Sequence, residues 1–259
     1  MPLFMRDTHS PTPLYHRVYA VMRERILKGY YPGDVAVPSE AELSESFSVS
    51  RITIRKAMEM LTAEGLVTRT RGRGTYVTDR SKENKLNRAV VSNINGLFSY
   101  LNAVGKSTRL KAISLDMGEA PPRICEQMGV SPTTELVRAV RVRSLDRRPY
   151  SLSIAYLLPE IGQTLKRQDL ASTNMIDLVQ KAGAVVEKVE QTLTATLADD
   201  YAAKHLEIPI GAPLMLVNRL FFNAELTPFY AAEIFYRADR YEYRVSLKRE
   251  DGKDFSLGN

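Results

Sequence analysis

Two pairs of arginines have a spacing that could place their guanidinium groups side by side. Arg51 and Arg55 are four residues apart in a segment with helical periodicity, and Arg141 and Arg143 are two apart in a segment with strand character. Residues at i and i+4 share a helix face, whereas residues at i and i+2 share a strand face. A guanidinium can donate two hydrogen bonds to a guanine edge, a phosphate or a carboxylate. The sequence therefore predicts two sites for acceptor groups, one on each kind of element.

The residues that enzymes most often use for catalysis are few and scattered. His9, His16 and His205 have no metal-ligand spacing, and Cys125 has no evident base beside it. No phosphate-cradling glycine-rich loop follows a predicted strand. We therefore expect no catalytic residues, no metal, no cofactor and no enzyme activity. A single cysteine also permits no intramolecular disulfide, which fits a reducing cytoplasm.

The first pair of arginines falls in a segment that reads as three helices. Apolar residues recur with helical spacing in 14–28, 39–47 and 50–65. Ser39 can cap the second helix, with Glu42 reaching back in a capping box, and Ser50 can cap the third. The apolar side of the third helix leaves Arg51, Arg55 and their neighbours on its exposed face. The short turn before Ser50 would cross the second and third helices so that the third can enter a DNA major groove.

A basic hairpin is predicted directly after the third helix. Residues 66–70 and 75–78 are β-prone and flank Arg71, Gly72, Arg73 and Gly74. Glycine would let the backbone of this turn come close to a partner. Three helices followed by such a wing predict a winged helix-turn-helix domain at residues 10–79.

The same residues carry a family resemblance. Residues 13–77 contain the elements PSE, VSR-x-T-x-R, EGL and GRGTYV in order, and in these the chain resembles the GntR family of bacterial transcription factors. The resemblance implies base or phosphate contacts from the third helix and minor-groove or backbone contacts from the wing. The family often has a basic residue after PSE, where this chain has Ala41, so one contact is expected to be lost. The predicted DNA-binding residues are Ser39, Ser50, Arg51, Thr53, Arg55, Lys56, Arg71, Gly72 and Arg73.

The rest of the chain reads as a second domain of the α+β class with a largely antiparallel sheet. A polar linker is predicted at 80–89, the domain at 90–252 and a flexible tail at 253–259. Residues 189–197 alternate apolar and polar, which predicts one buried strand face. Strands are expected at 136–144, 150–158, 188–198, 214–222 and 229–236, and helices near 96–104, 121–129, 173–182 and 199–206.

This domain shows a weak internal sequence repeat. The pattern from Met128 to Tyr156 resembles the pattern from Leu206 to Phe235, at an offset of 78 residues that becomes 79 after one inserted position. Two degenerate copies would place Arg141 and Arg219 at related positions. Chance similarity between two short patterns is the alternative.

Residues 85–250 resemble the effector-binding domain of the HutC subfamily of GntR proteins, the UTRA domain, which has the chorismate lyase fold. The resemblance rests on MGV-x(5)-L-x(4)-R-x-R, SLSIAYLLP and FYRADRYEY. It implies a homodimer whose sensory domains bind a small, often anionic, metabolite and change the spacing of two DNA-binding heads. The expected partners are a near-palindromic double-stranded DNA operator and an effector bearing phosphate, phosphonate or carboxylate. Repression is expected, because repressors predominate in the family.

The predicted effector site combines residue chemistry with this resemblance. Arg141 and Arg143 could hold an anion, and the helix N-terminus beside Asn95 and Gly96 favours one too. Sugar-phosphate-sensing relatives have Glu and Ser where this chain has Tyr230 and Asn174, which argues against an amino-sugar phosphate. A solvated outer face for the arginines and a core position for the matching pocket tyrosine, Tyr236, are the alternatives. The complete predicted set is Asn95, Gly96, Arg141, Arg143, Ser153, Asn174, Tyr230 and Tyr236.

Charge and hydropathy agree with this reading without deciding it. The formal net charge is +6, which only weakly favours a nucleic-acid partner. No apolar stretch is long enough to span a bilayer, so we expect a cytoplasmic protein with no membrane association. The rival hypotheses are an enzyme, a helical FadR-type sensory domain with clustered histidines, and an RNA-binding or scaffolding winged helix.

Overall fold

The computed structural model describes residues 12–70, 72–78, 88–89 and 108–244. The chain divides into two compact units, residues 1–84 and 85–259. Most of the predicted linker, the whole predicted tail and the predicted helix at 96–104 lie outside the described residues. The domain limits set out above therefore stay predictions at those points.

The first unit has three helices and a small sheet. Its helices are α1 (Leu14–Leu27), α2 (Glu40–Phe47) and α3 (Arg51–Glu64), and its strands are β1 (Ala36–Val37), β2 (Val67–Thr70) and β3 (Gly74–Val77). The strands are antiparallel in the order β1-β3-β2. The three helices and the hairpin agree with the sequence prediction. The two-residue β1 was missed, because so short a strand has no alternation to detect.

One partly buried carboxylate joins the first and third helices of this unit. Arg23 Nε donates to Glu64 Oε1 at 2.9 Å, and the Tyr19 hydroxyl donates to Glu64 Oε2 at 2.7 Å. Burial, followed by the neighbouring Glu64, raises the pKa of Tyr19 far above its usual value. The phenol therefore stays protonated as a donor. Beneath this contact the apolar faces of the helices form the core, which includes Val18, Met22, Phe47, Ile54 and Leu61.

The second unit is built on a six-stranded antiparallel sheet. Its strands and two shorter ones are β4 (Arg88–Ala89), β5 (Arg109–Glu119), β6 (Glu135–Leu145), β7 (Arg148–Leu157), β8 (Lys188–Leu197), β9 (Pro213–Phe222), β10 (Pro228–Arg237) and β11 (Tyr243–Arg244). The strand order of the sheet is β5-β6-β7-β10-β9-β8, and β4 and β11 form a separate parallel pair. The helices are α4 (Pro122–Met128), α5 (Pro159–Gly162), α6 (Arg167–Leu170), α7 (Met175–Lys181) and α8 (Asp200–Leu206). The predicted fold class is confirmed.

The two edge strands of this sheet, β5 and β8, differ from the sequence prediction. Strand β5 was not predicted, and it packs along β6 as one edge of the sheet. The clean burial predicted for 189–197 is wrong beyond Leu193, because Ala195 is exposed and the Leu197 side chain is 67% exposed. An edge strand has a neighbour on one side only, so fewer elements cover its end.

The internal repeat is present in the structure and extends over most of the sheet. An offset of 78 residues carries α4 onto α8 and the start of β6 onto the start of β9. The helices of both copies end in a left-handed residue at the matching position, Gly129 with φ 65° and Glu207 with φ 54°. The two copies occupy opposite halves of the strand order and meet where β7 pairs with β10. The sheet therefore has an approximate two-fold axis between these central strands.

The two faces of the sheet are covered by different elements. One face packs with Ile124, Met128, Ala202 and Leu206, which belong to α4 and α8. The other face packs with α7 and with the segment between β7 and α7. No helix of the described part of the chain is both long and apolar enough to cross a membrane.

Candidate functional site

The exposed face of α3 carries three of the predicted DNA-binding side chains. Arg51, Arg55 and Lys56 are exposed, and Ile52 beside them is 80% exposed. Arg55 Nε lies 3.3 Å from the Glu59 carboxylate in a solvent-exposed pair, which contributes little to stability. This face can therefore present cations to a partner at a small energetic cost.

The serines predicted to touch DNA both cap helices. The Ser39 hydroxyl accepts from the Glu42 amide at 3.3 Å and donates to the Glu42 carboxylate at 2.7 Å. The hydrogen bonds that the Ser39 hydroxyl and the Ser39 amide donate to this carboxylate lower the pKa of Glu42. Ser50 accepts from the Thr53 amide at 3.3 Å, and its hydroxyl lies 2.9 Å from the Thr53 hydroxyl. Both serines thus fix where the helices begin.

The wing is a tight hairpin that depends on glycine. Gly72 and Gly74 have φ values of 74° and 110°, where a side chain would strain the backbone. Arg73 is exposed, its amide donates to the Thr70 carbonyl at 3.0 Å, and its own carbonyl accepts from the Tyr76 hydroxyl at 3.0 Å. Arg71 lies outside the described residues. The turn therefore holds Arg73 at the tip of the hairpin.

A cavity of about 70 Å³ lies on the α7 face of the second unit. Six of the eight predicted effector residues line it, and the other two, Asn95 and Gly96, lie outside the described residues. Seven further lining residues stand outside the predicted set, and the sequence had indicated only Arg219 among them. The complete lining is Leu110, Arg141, Arg143, Ser151, Ser153, Asn174, Met175, Ile176, Arg219, Phe221, Tyr230, Ile234 and Tyr236.

Arg141 is buried at this cavity with much of its hydrogen-bonding capacity unused. Its side chain is on β6, the residue is 6% exposed, and its Nη1 donates to the Thr173 carbonyl at 3.0 Å. Its Nε is buried without a hydrogen-bond partner in the described part of the chain. Burial lowers the pKa of Arg141 to about 10, so the guanidinium remains charged at neutral pH. The alternative of a solvated outer face is wrong for this residue.

Arg143 is positioned by side chains from two other segments. Its Nη2 donates to Asn174 Oδ1 at 3.0 Å, and its Nη1 donates to the Thr108 hydroxyl at 2.7 Å. Asn174 is the N-cap of α7, yet its side chain makes no capping hydrogen bond. The amide oxygen that could cap the helix is instead directed to Arg143. The arginine pair and α7 are thereby joined at the cavity wall.

Arg219 stood outside the predicted set, although the internal repeat in the sequence had already related it to Arg141. It is 7% exposed on β9, and its Nε donates to Gln191 Oε1 on β8 at 2.7 Å. The 78-residue offset of the internal repeat relates Arg219 to Arg141, and both arginines line the cavity. The remaining missed residues had no such signal, because their side chains meet only after the sheet and α7 pack together.

The aromatic wall of the cavity is shared with the core. Tyr230 stacks on Phe221 with ring centroids 4.4 Å apart, and Tyr236 stacks on Tyr241 at 3.9 Å. Burial raises the pKa of Tyr230, partly opposed by the nearby charges of Arg141 and Arg219. Tyr236 both lines the cavity and belongs to the core cluster. The two readings offered for Tyr236 are therefore compatible.

The chemistry of this cavity is that of an anion site. Three guanidinium groups line it, and none of its described lining residues is a carboxylate. The described residues also contain no cluster of three or more potential metal ligands. Guanidinium groups bind phosphates and carboxylates through paired charge-assisted hydrogen bonds.

Comparison with protein-family models finds two matches, one for each unit. Residues 14–77 match the model for bacterial regulatory proteins of the gntR family, and residues 103–242 match the model for the UTRA domain. The second match covers more than half of the chain.

Curated relatives match over nearly their full length. The chain is 29% identical to a probable fructoselysine utilization operon transcriptional repressor of Shigella flexneri, over 90% of this chain and 95% of the relative. It is 26% identical to the transcriptional repressor NagR of Bacillus subtilis, over 92% and 96%. It is also 26% identical to a histidine utilization repressor of Pseudomonas aeruginosa, over 84% and 85%. All three are named as repressors rather than enzymes.

Solved structures share the fold. The possible transcriptional regulator YydK of Bacillus subtilis superposes with a TM-score of 0.53 at 18% identity, covering 92% of this chain and 100% of that one. PhnF of Mycobacterium smegmatis gives 0.51 at 22% identity, over 90% and 100%. With both units matched in order, the chain belongs to the GntR family of bacterial transcriptional regulators, as a DNA-binding member with a UTRA effector-binding domain.

Proposed function

We propose that this protein is a repressor whose operator binding is released by a small anion in the arginine-lined cavity. The anion carries a phosphate, phosphonate or carboxylate. The observation that carries the proposal is the lining itself, with three arginines and no carboxylate among its described residues. The family membership supplies the DNA-binding context, and the names of the relatives support the direction of control.

Energetics favour an anionic occupant. A buried guanidinium with unmet donors is costly, because it has lost water without gaining partners. Arg141 is in this position, since its Nε has no partner among the described residues. An oxyanion would accept from Arg141 and neutralise part of the charge shared with Arg143 and Arg219. A neutral ligand would leave the buried charge of Arg141 uncompensated.

The DNA-binding role is assigned to α3 and the wing. Arg51 and Arg55 on the exposed face of α3 would read base edges in the major groove, with Thr53 and Lys56 close to the phosphates. Arg71, Gly72 and Arg73 of the wing would contact the backbone or the minor groove. Ser39 and Ser50 would act chiefly by fixing the helix starts, although their predicted contacts with DNA remain part of the proposal.

The anion would control operator binding through thermodynamic linkage in a homodimer. If the anion binds the DNA-incompetent arrangement of the two heads more tightly, it shifts the population away from operator binding by that difference in affinity. Operator DNA must then weaken anion binding by the same factor.

The test measures operator binding and anion response separately. The chain is assayed by mobility shift on the promoter DNA of its own gene, with heparin as competitor, against a panel of phosphates, phosphonates and carboxylates. The double variant Arg141→Met and Arg143→Met should bind operator normally and no longer be released by the active anion. Arg148→Met, an exposed arginine outside the cavity, serves as the matched control. Release that persists in the double variant, or release by neutral compounds alone, would contradict the proposal.

A further inference from the structure

Arg219 enters the cavity from the second copy of the internal repeat. Arg141 pairs with Ser153 in the register of β6 and β7, and Arg219 pairs with Ala232 in the register of β9 and β10. Strands β7 and β10 therefore separate the two arginines. With about 4.8 Å between neighbouring strands, the backbones of β6 and β9 are about 14 Å apart. The two arginines are therefore carried by strands on opposite sides of the approximate two-fold axis.

The floor between the two arginines is formed by the two central strands. Ser153 and Ala155 on β7 pair with Ile234 and Ala232 on β10, and three of these four residues are small. Tyr230 on β10 lies within electrostatic reach of both Arg141 and Arg219. The space over the axis is therefore flanked by a cation on each side, with a phenol group between them.

Arg219 is held in place but not neutralised. Its Nε donates to Gln191 at 2.7 Å, and its terminal nitrogens have no hydrogen-bond partner in the described part of the chain. It is nearly as buried as Arg141, at 7% against 6% exposure. An anion bound at Arg141 and Arg143 would therefore leave a second buried cation on the opposite side uncompensated. Such a charge favours a second acidic group.

We propose that the effector is a bipolar dianion, a small molecule with one acidic group held by Arg141 and Arg143 and another held by Arg219. The inference rests on the proposed function, in that it takes the cavity to be the effector site. It adds that the site selects molecules with two separated acids. A diacid would span the two-fold axis, and a monoacid would fill only one end.

The test compares diacids with monoacids of matched length on the full chain. The probes are glutarate against pentanoate, adipate against hexanoate, and 3-phosphonopropionate against propylphosphonate, measured by calorimetry. The best diacid should bind about 10- to 100-fold more tightly than its monoacid, since one additional charged hydrogen-bonding partner contributes on that order. Arg219→Met should remove this difference and leave the affinity for the monoacid unchanged. Arg141→Met should weaken the binding of both.

Two further variants keep the outcome interpretable. Arg219→Lys keeps the charge but loses the planar fork, so it should lower diacid affinity alone even if Arg219→Met does not fold. Arg123→Met, an exposed arginine on α4, should change neither affinity.

The failures of the two proposals are distinguishable. Equal binding of diacids and monoacids to the unmodified protein, or equal weakening of both by Arg219→Met, would overturn the bipolar site and leave the anionic effector standing. Binding of neither class at millimolar concentration would overturn both.

Discussion

At the scale of single residues, arginine side chains have different environments in the two units. Arg55 on α3 is exposed and paired with Glu59 on its own helix, whereas Arg141 on β6 is buried and lacks a partner for its Nε among the described residues. Solvent screens the first charge but not the second. The exposed arginines are thus available to a large polyanion, and the buried ones to a small anion that can enter the cavity.

The first prediction concerns Arg51 and Arg55. Replacing either with Ala should weaken specific operator binding by about 1–3 kcal/mol, because each guanidinium can make paired bonds to a guanine edge. Fluorescence anisotropy with operator and scrambled duplexes measures the change. Glu59→Ala is the control, since it removes the carboxylate that competes for Arg55 and should leave affinity equal or higher. Normal operator binding by a folded double arginine variant would mean that α3 does not read the DNA.

A second residue on the same helix face gives an independent prediction. Ile52 is 80% exposed, and an apolar side chain in the major groove can contact the methyl group of thymine. Burying one methyl group contributes about 0.8 kcal/mol, or about fourfold in affinity. An operator with uracil replacing thymine in one of its two half-sites should therefore bind about fourfold more weakly, and Ile52→Ala should abolish that difference. Uracil placed only in the flanking DNA should have no effect. Equal sensitivity of Ile52→Ala and the unmodified protein would exclude this contact.

At the scale of elements, α5 approaches the sheet closely because it ends in glycine. A Cβ built on Gly162 would lie 2.3 Å from the Val137 Cβ on β6, far inside normal contact. The segment that leads from β7 to α7 passes through this point. The position of α7, which carries Asn174 at its N-terminus, therefore depends on a contact that no larger residue could make.

This contact gives the third prediction. Gly162→Ala should destabilise the second unit by about 1–3 kcal/mol through overpacking, measured by urea unfolding. Gly118→Ala is the matched control, because a Cβ there meets nothing within 4 Å. If both glycine variants were equally stable, the close packing of α5 on β6 would be in error.

At the scale of the whole molecule, the proposed homodimer sets the geometry of the operator. Two heads related by a two-fold axis read two half-sites of a near-palindrome, and their centres are separated by about one helical turn of DNA or a multiple of it. In this proposal the heads respond to the cavity through a change in how the two copies are arranged. Operator symmetry is therefore a consequence of the proposal that can be checked without knowing the effector.

Footprinting tests this fourth prediction. The protein should protect two half-sites in an inverted arrangement, and moving them apart by half a helical turn should reduce affinity, because the heads would face opposite sides of the duplex. Adding a full turn serves as the control for spacing alone. Protection of one asymmetric half-site by a monomer, shown by sedimentation of the complex, would contradict the dimeric arrangement.

The sequence by itself determined the local structure of this protein. The capping serines, the helical periodicity around Ile54 and the glycines of the wing act within a few residues of each other, so their pattern is visible along the chain. The same holds for five strands of the second unit and for the spacing of Arg141 and Arg143. Edge strand β5 escaped prediction because partial burial weakens the alternation that marks a strand.

Only the tertiary structure decided which residues line the cavity and which of them are buried there. Arg143 meets Asn174 across 31 residues of chain, and Arg219 meets Gln191 across 28. Whether Arg141 is buried or solvated depends on α7 covering its face of the sheet, which its own neighbours in sequence do not specify. Burial, partner choice and the absence of a carboxylate from the described lining arise from packing between distant segments. The local sequence pattern therefore predicted which residues share a face of a helix or strand. The packing of distant segments determined which of those residues are buried together at the cavity.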